Sequence, residues 1–158
     1  MALHYSVTHA RARAMVQDDG MGDDLVQNLA GAAEELRRAG DTGVLVRVVE
    51  LRGFGSRRLG EAAVISRGGL IAGRVLGGSV DAELTREAAS LLEDPPPVGL
   101  VELSIGDRTA LAAGLACGGT ARLVLQGVEL VPARWWEALA SREPIALVTP
   151  LDGRPGRT

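Results

Sequence analysis

Two glycine-rich turns carry the residues best suited to chemistry. The first is Gly73–Asp81, read Gly-Arg-Val-Leu-Gly-Gly-Ser-Val-Asp, and the second is Gly114–Gly119, read Gly-Leu-Ala-Cys-Gly-Gly, with the chain's single cysteine at Cys117. Glycine has no Cβ, so backbone N–H groups beside it can approach a ligand closely. A helix start adds unpaired donors and a partial positive charge. Gly77, Gly78 and Ser79, placed between an apolar stretch and a helical one, therefore suit a phosphate or another anion. The same residues also suit a plain strand-to-helix turn with Ser79 as the N-cap. Asp81, in the first helical turn, would partly cancel the field. The two glycine turns are expected to meet and form one anion-tolerant site.

Cys117 is followed by Gly118 and Gly119, which favours an exposed thiol. A reactive thiolate needs positive charge or backbone donors beside it, whereas a lone cysteine is otherwise a small buried hydrophobe. No motif pairs it with a base, because the two histidines, His4 and His9, lie far away near the N-terminus. Those histidines also lack cysteine or carboxylate partners at metal-ligand spacing. Arg57 and Arg58 sit in a loop bounded by Gly53 and Gly60; they could clamp a phosphate bidentately or form a solvated pair.

The bulk composition bounds the classes. A length of 158 residues suits one domain with a sizeable core. With aromatics at only 3%, that core must be built from Val, Leu, Ile and Ala. The net charge of −3 argues against a nucleic-acid binder. One cysteine excludes an intramolecular disulfide and fits a reducing cytoplasm. No apolar run approaches the roughly 20 residues that span a bilayer, and the N-terminus lacks the pattern of a signal peptide.

Positioning these turns requires a scaffold, and the chain's periodicities supply one. Residues 1–22 show no clean period and read as a loose arm, with room for a short strand or helical turn near Val7–Val16. Asp23–Ala39 is the clearest helix, with Leu25, Leu29, Ala32 and Leu36 on one stripe, acids at its start, Arg37 and Arg38 at its end and Gly40 as its stop. Gly43–Leu51 is almost continuously apolar, as expected of a central strand buried on both faces. Ala62–Ser66 and Leu70–Leu76 form a hairpin across Arg67-Gly68-Gly69. Ser79–Glu93 is a second helix, ended by Pro95-Pro96-Pro97. Gly99–Ile105, Ala121–Gln126 and Ile145–Thr149 read as strands, and Asp107–Ala113 as either a short helix or a loop. Pro132 opens a third helix over Ala133–Ser141. Trp135 and Trp136 are adjacent on it, so one is expected in the core and the other exposed or at an interface. The tail, 152–158, is expected to be disordered. The sum is an α/β (α+β) single domain over 23–151, a mixed sheet of about five to six strands with about three helices. There is no Gly-x-Gly-x-x-Gly after the first strand, hence no Rossmann dinucleotide turn.

Side by side, these stretches resemble the N-terminal domain of the XdhC/CoxI family, accessory proteins of xanthine dehydrogenase and carbon monoxide dehydrogenase. The likeness runs from about Asp23 to Leu151. The family has an apolar strand ending Val-Glu, matched by Val49-Glu50. A Gly-Ser-(Ser/Thr)-Pro-Arg-x-Pro-Gly loop follows, matched at Gly53, Arg57 and Gly60, with Ser56 and Leu59 in place of the prolines. A Gly-Gly-Cys-Val-Glu turn is matched at Gly77, Gly78 and Val80, with Ser79 for the cysteine and Asp81 for the glutamate. Gly-Leu-x-Cys-Gly-Gly is intact as Gly114, Leu115, Cys117, Gly118 and Gly119.

The resemblance implies a chaperone that binds the molybdenum cofactor (molybdopterin) and passes it, sulfurated, to a molybdenum hydroxylase apoenzyme. It also implies a cofactor sulfurase as a second partner, a cytoplasmic homodimer, and an accessory protein rather than an enzyme. It places the cofactor on Cys117, Gly118, Gly119, Gly77, Gly78, Ser79, Asp81 and Arg57, with Cys117 as the soft metal ligand or guard. Many members carry a C-terminal Rossmann-like domain; here either another chain supplies it or it is not needed. Because a hydroxyl is a poor soft ligand, Ser79 leaves a second reading: a diverged paralogue acting as a structural or interaction subunit without cofactor. A third, an enzyme acting on a phosphorylated small molecule, lacks an acid–base pair near the turns.

Overall fold

In the computed structural model, residues 5–10, 21–55, 59–93 and 98–150 are described, with side chains from residue 28 onward within those ranges. The elements in order are β1 (Tyr5–Ala10), α1 (Met21–Ala39), β2 (Gly43–Gly53), β3 (Ala62–Ser66), β4 (Gly69–Gly73), a 3₁₀ turn (Leu76–Gly78), α2 (Asp81–Glu93), β5 (Val98–Ile105), α3 (Asp107–Ala112), β6 (Gly119–Gly127), a second 3₁₀ turn (Val128–Leu130), α4 (Ala133–Ala140) and β7 (Ile145–Pro150). Five strands form one sheet in the order β4-β3-β2-β6-β5, and β1 pairs with β7 in a separate two-stranded ladder.

Local chemistry accounts for several boundaries. Gly40 takes φ +68°, Gly40 N–H donates to the Arg37 carbonyl at 3.2 Å and Asp41 N–H to the Leu36 carbonyl at 2.9 Å, which closes the last carbonyls of α1. Glu34 forms ion pairs with Arg37 and Arg38 at 3.3 and 3.4 Å on the exposed face, three and four residues apart. The β3–β4 hairpin turns through two residues, with Ser66 opposite Gly69, so the glycine-marked turn forms where the sequence places it.

β2 is the third of five strands and is buried on both faces, as its unbroken apolar run requires. Val44, Val46 and Val48 face one layer, packed with Ala63, Ile65, Leu103, Leu123 and Leu125 under Val80, Leu84, Ala88 and Leu91 of the α2 segment. Leu45 faces the other layer with Val64, beneath Leu29, Ala33 and Leu36 of α1, Trp136 and Leu139 of α4, and Leu147 of β7. The result is helix, sheet and helix in three layers, each apolar face burying its neighbour. Arg47, also on β2, is 1% exposed; it donates to Gln126 Oε1 at 3.1 Å and Thr149 Oγ1 at 2.5 Å, tying the sheet to β7.

The α/β class and single packed unit are those expected from the sequence, and four features differ from expectation. Every described strand pairing is antiparallel, because the α2 crossover joins strands at opposite edges of the sheet rather than neighbours. Within residues 1–22, read as an arm with room for a short strand or helical turn near Val7–Val16, the strand forms earlier, at Tyr5–Ala10, as β1 against β7; six residues are too few for alternation to stand out. α2 begins at Asp81 rather than Ser79, after the 3₁₀ turn. Trp135 and Trp136 are both buried, at 2% and 5% exposure, with ring centroids 4.8 Å apart in an edge-to-face contact. The expectation of one exposed indole is therefore corrected. α4 is covered on two sides, and the pair gains from T-shaped packing. The 152–158 tail lies outside the described residues.

Candidate functional site

The site is built at the end of the sheet where β2 and β5 finish and β6 begins. Gly53 stands opposite Gly119 in the β2–β6 ladder, and Ile105 stands opposite Gly119 on the other side. The backbones approach so closely that side chains are excluded. A methyl group on Gly53 would lie 2.5 Å from the Gly118 carbonyl oxygen, and one on Gly118 would collide with the Ile105 carbonyl. One on Gly119 would collide with the Arg52 carbonyl. Phe54 N–H donates to the Gly118 carbonyl at 3.1 Å. Asp107, at the start of α3, accepts from Gly118 N–H at 2.8 Å.

The two glycine turns meet. A methyl group on Gly77 would lie 2.6 Å from the Ala113 carbonyl oxygen and 3.6 Å from a Leu115 methyl. The third loop, which opens at Gly53, joins them: a methyl on Gly55 would lie 3.0 Å from Ala116 Cβ. Three segments far apart in sequence thus converge through their smallest residues.

Two residues in these loops carry backbone strain. Phe54 has φ +63° and Leu76 has φ +48°, and both side chains are buried in the core, at 1% and 0% exposure. A left-handed conformation costs a non-glycine residue about 1–2 kcal/mol. The buried side chains and the contacts around them hold the loops in this shape. Such outliers concentrate where a site is held in a defined form.

The donors that the sequence assigns to an anion are largely engaged. Gly78 N–H donates to the Val75 carbonyl at 2.9 Å and Ser79 N–H to the Leu76 carbonyl at 3.2 Å. Ser79 Oγ also turns back and donates to the Leu76 carbonyl at 2.7 Å. Ser79 is therefore not the N-cap of α2, because closing the preceding 3₁₀ turn takes its hydroxyl. Leu76 N–H donates to Glu61 Oε2 at 2.6 Å. The first-turn amides of α2 lack an intrahelical partner, as at any helix start.

Asp81 lies in that first turn, and a methyl on Gly78 would sit 3.2 Å from Asp81 Oδ2. Burial pushes the Asp81 carboxyl up from 3.8, partly opposed by Arg74. A carboxyl whose value is raised in the fold costs the folded state stability above that raised value, and the cost vanishes below the unfolded value. Asp81→Asn is accordingly expected to stabilise the protein at pH 7 and to leave it unchanged below pH 3.8, as read by urea unfolding at the two pH values. A gain that is the same at both would refute this.

Cys117 is half-buried, between an exposed Ala116 and half-buried Gly118 and Gly119. Arg57 lies outside the described residues. Among the described residues no group of three or more His, Cys, Asp or Glu is arranged to hold a metal, so Cys117 is at most one soft ligand. No described helix is long and apolar enough to cross a membrane. Sequence reasoning missed Asp107 and Glu61, which hold Gly118 and Leu76. Asp107 had a signal in its position after Gly106 at the head of a short helix; Glu61 had none.

The fold is thus a small α/β/α domain with its glycine turns locked backbone to backbone at one end of an antiparallel sheet. Residues 36–103 match the XdhC and CoxI family. The match includes the Gly53–Gly60 loop and the Gly77–Asp81 turn, and stops before Gly114–Gly119. The family points to the molybdenum hydroxylase system. No curated protein matches the chain.

Proposed function

We propose that the chain is a chaperone that binds the molybdenum cofactor transiently and serves maturation of a molybdenum hydroxylase of the xanthine dehydrogenase or carbon monoxide dehydrogenase type. The observation that supports this reading is the close approach of Gly77 to the Ala113 carbonyl, beside the turn that carries Cys117. The residues present fit the group in chemical type. Cys117 offers a partly open soft sulfur for a metal–dithiolene head. The first turn of α2 and Arg57 offer donors to its phosphate. The cofactor itself would supply the redox-active metal, while the chain binds and shields it. The apoenzyme, a sulfurase, a homodimer and a cytoplasmic setting belong to the same proposal.

The engaged amides of Gly78 and Ser79 and the inward-turned Ser79 hydroxyl favour a second reading, an interaction subunit without cofactor. Anaerobic titration of isolated molybdenum cofactor separates the two. Under the chaperone reading the wild type binds, and Cys117→Ala loses at least about tenfold in affinity, the size of one lost ligand or strong polar contact, with unfolding unchanged. If neither wild type nor Ser79→Cys binds, the interaction subunit stands instead. Binding that is equal in wild type and Cys117→Ala would remove Cys117 from the site.

A further inference from the structure

We infer that Glu61 is the positioning residue of the site, a fixed post whose carboxylate sets the conformation of the Gly77–Ser79 turn. The bearing of that turn on cofactor binding rests on the function proposed above; the role of Glu61 in shaping the turn does not.

Glu61 is anchored at its backbone. Its carbonyl accepts Val48 N–H at 3.0 Å, next to the register shift of β2 between Val48 and Glu50. The following residue, Ala62, pairs with Arg47 in β2 and accepts Arg74 N–H at 3.1 Å. The Cα of Glu61 is thus held at the head of β3, between the central strand and the end of the hairpin. From there its side chain crosses to the 3₁₀ turn, and Oε2 accepts Leu76 N–H at 2.6 Å.

Leu76 is where the turn is most easily lost. It is fully buried and has a positive φ of 48°, and its carbonyl accepts both Ser79 N–H and Ser79 Oγ. The next residue, Gly77, is the one that touches the Ala113 carbonyl. The Leu76 amide is therefore both strained and shut from water, and Glu61 gives it a charged acceptor. Without an acceptor a buried N–H retains its full desolvation cost, and the strained conformation has less to hold it. Relaxation of Leu76 would move Gly77 away from Ala113 and separate the two halves of the site.

The test uses the full chain with Glu61→Gln, which keeps an acceptor oxygen, and Glu61→Ala, which removes it. The first readout is amide hydrogen exchange of Leu76, Gly77 and Ser79, followed residue by residue. The second is anaerobic molybdenum cofactor affinity. Glu61→Ala is expected to lose at least about tenfold in exchange protection at these amides, the size expected for a buried donor that loses its acceptor. Glu61→Gln is expected to stay within about threefold of wild type, since a neutral acceptor is weaker but adequate. Amides of α1 and β6 should keep their protection in both variants. Unchanged protection in Glu61→Ala would overturn the inference, as would equal loss across the whole chain or failure of Glu61→Gln to restore the turn. Should wild type bind no cofactor, the proposed function falls, and the exchange pattern still decides the role of Glu61. Where wild type binds, affinity should fall with Glu61→Ala and recover with Glu61→Gln.

Discussion

Gly118→Ala is expected to destabilise the protein by about 3 kcal/mol, the upper range for forcing an extra methyl into packed surroundings. The added methyl would meet the Ile105 carbonyl and come within 2.9 Å of Asp107 N, and both are backbone atoms in the end of β5 and the head of α3. Backbone cannot swing aside as a flexible side chain can, so either β5 separates from β6 or the Gly118–Gly119 strand end moves. Both routes also break the Asp107 bond to Gly118 N–H and shift Cys117. Gly114→Ala supplies the contrast. Gly114 has φ +75° but open space around it, so that change carries only the left-handed penalty of about 1–2 kcal/mol. Urea unfolding of both variants checks the order. A Gly118→Ala protein as stable as Gly114→Ala would mean that the strand ends separate at little cost, and the close-packed site described here would be wrong.

Arg47→Ala is expected to cost about 3–5 kcal/mol, the range for breaking a buried polar set by removing one partner. Gln126 Oε1 and Thr149 Oγ1 would each lose a charged donor, and the long aliphatic stem would leave a void under β7. Arg47→Met keeps the stem, and it is expected to recover about half of the loss, since apolar replacement of buried charge is often tolerated. Burial lowers the Arg47 value from the usual guanidinium range to about 10. The charged guanidinium is thus a cost to the folded state at neutral pH. That cost shrinks as pH rises through about 10. The stability gap between wild type and Arg47→Met should accordingly move in favour of wild type between pH 9 and pH 11, a window bracketing that value. A gap independent of pH would contradict burial as the source of the shift.

How far the sequence could be read depended on the range of the interactions involved. β2 was legible because nine residues from Gly43 to Leu51 are almost all apolar, a pattern that only burial on two faces satisfies. α1 was legible because its stripe, its terminal charges and Gly40 agree. The meeting of the glycine turns was an expectation that the Gly77–Ala113 contact supports. The state of the turn itself was not legible. Ser79 suits an N-cap locally, and only the path of the chain through Leu76 at positive φ redirects its hydroxyl. Trp135 and Trp136 were misplaced for a related reason, since helical spacing gives the angle between two side chains but not how many neighbours surround the helix. Glu61 gave no signal, because its partner is a backbone amide fifteen residues on.

The strand order also governs how the domain can be assembled during synthesis. β6 lies between β2 and β5 in the sheet but follows both in the chain. Until about residue 127 has emerged, β2 has an open edge and β5 has no strand to pair with at all. The nascent chain therefore carries exposed hydrogen-bonding edges over most of its length, and the central pairing has to wait for a segment about eighty residues downstream (Val46 opposite Leu125). Closure of that gap is a late, non-local step of the kind that folds slowly. The domain itself is most in need of protection in the interval before β6 arrives.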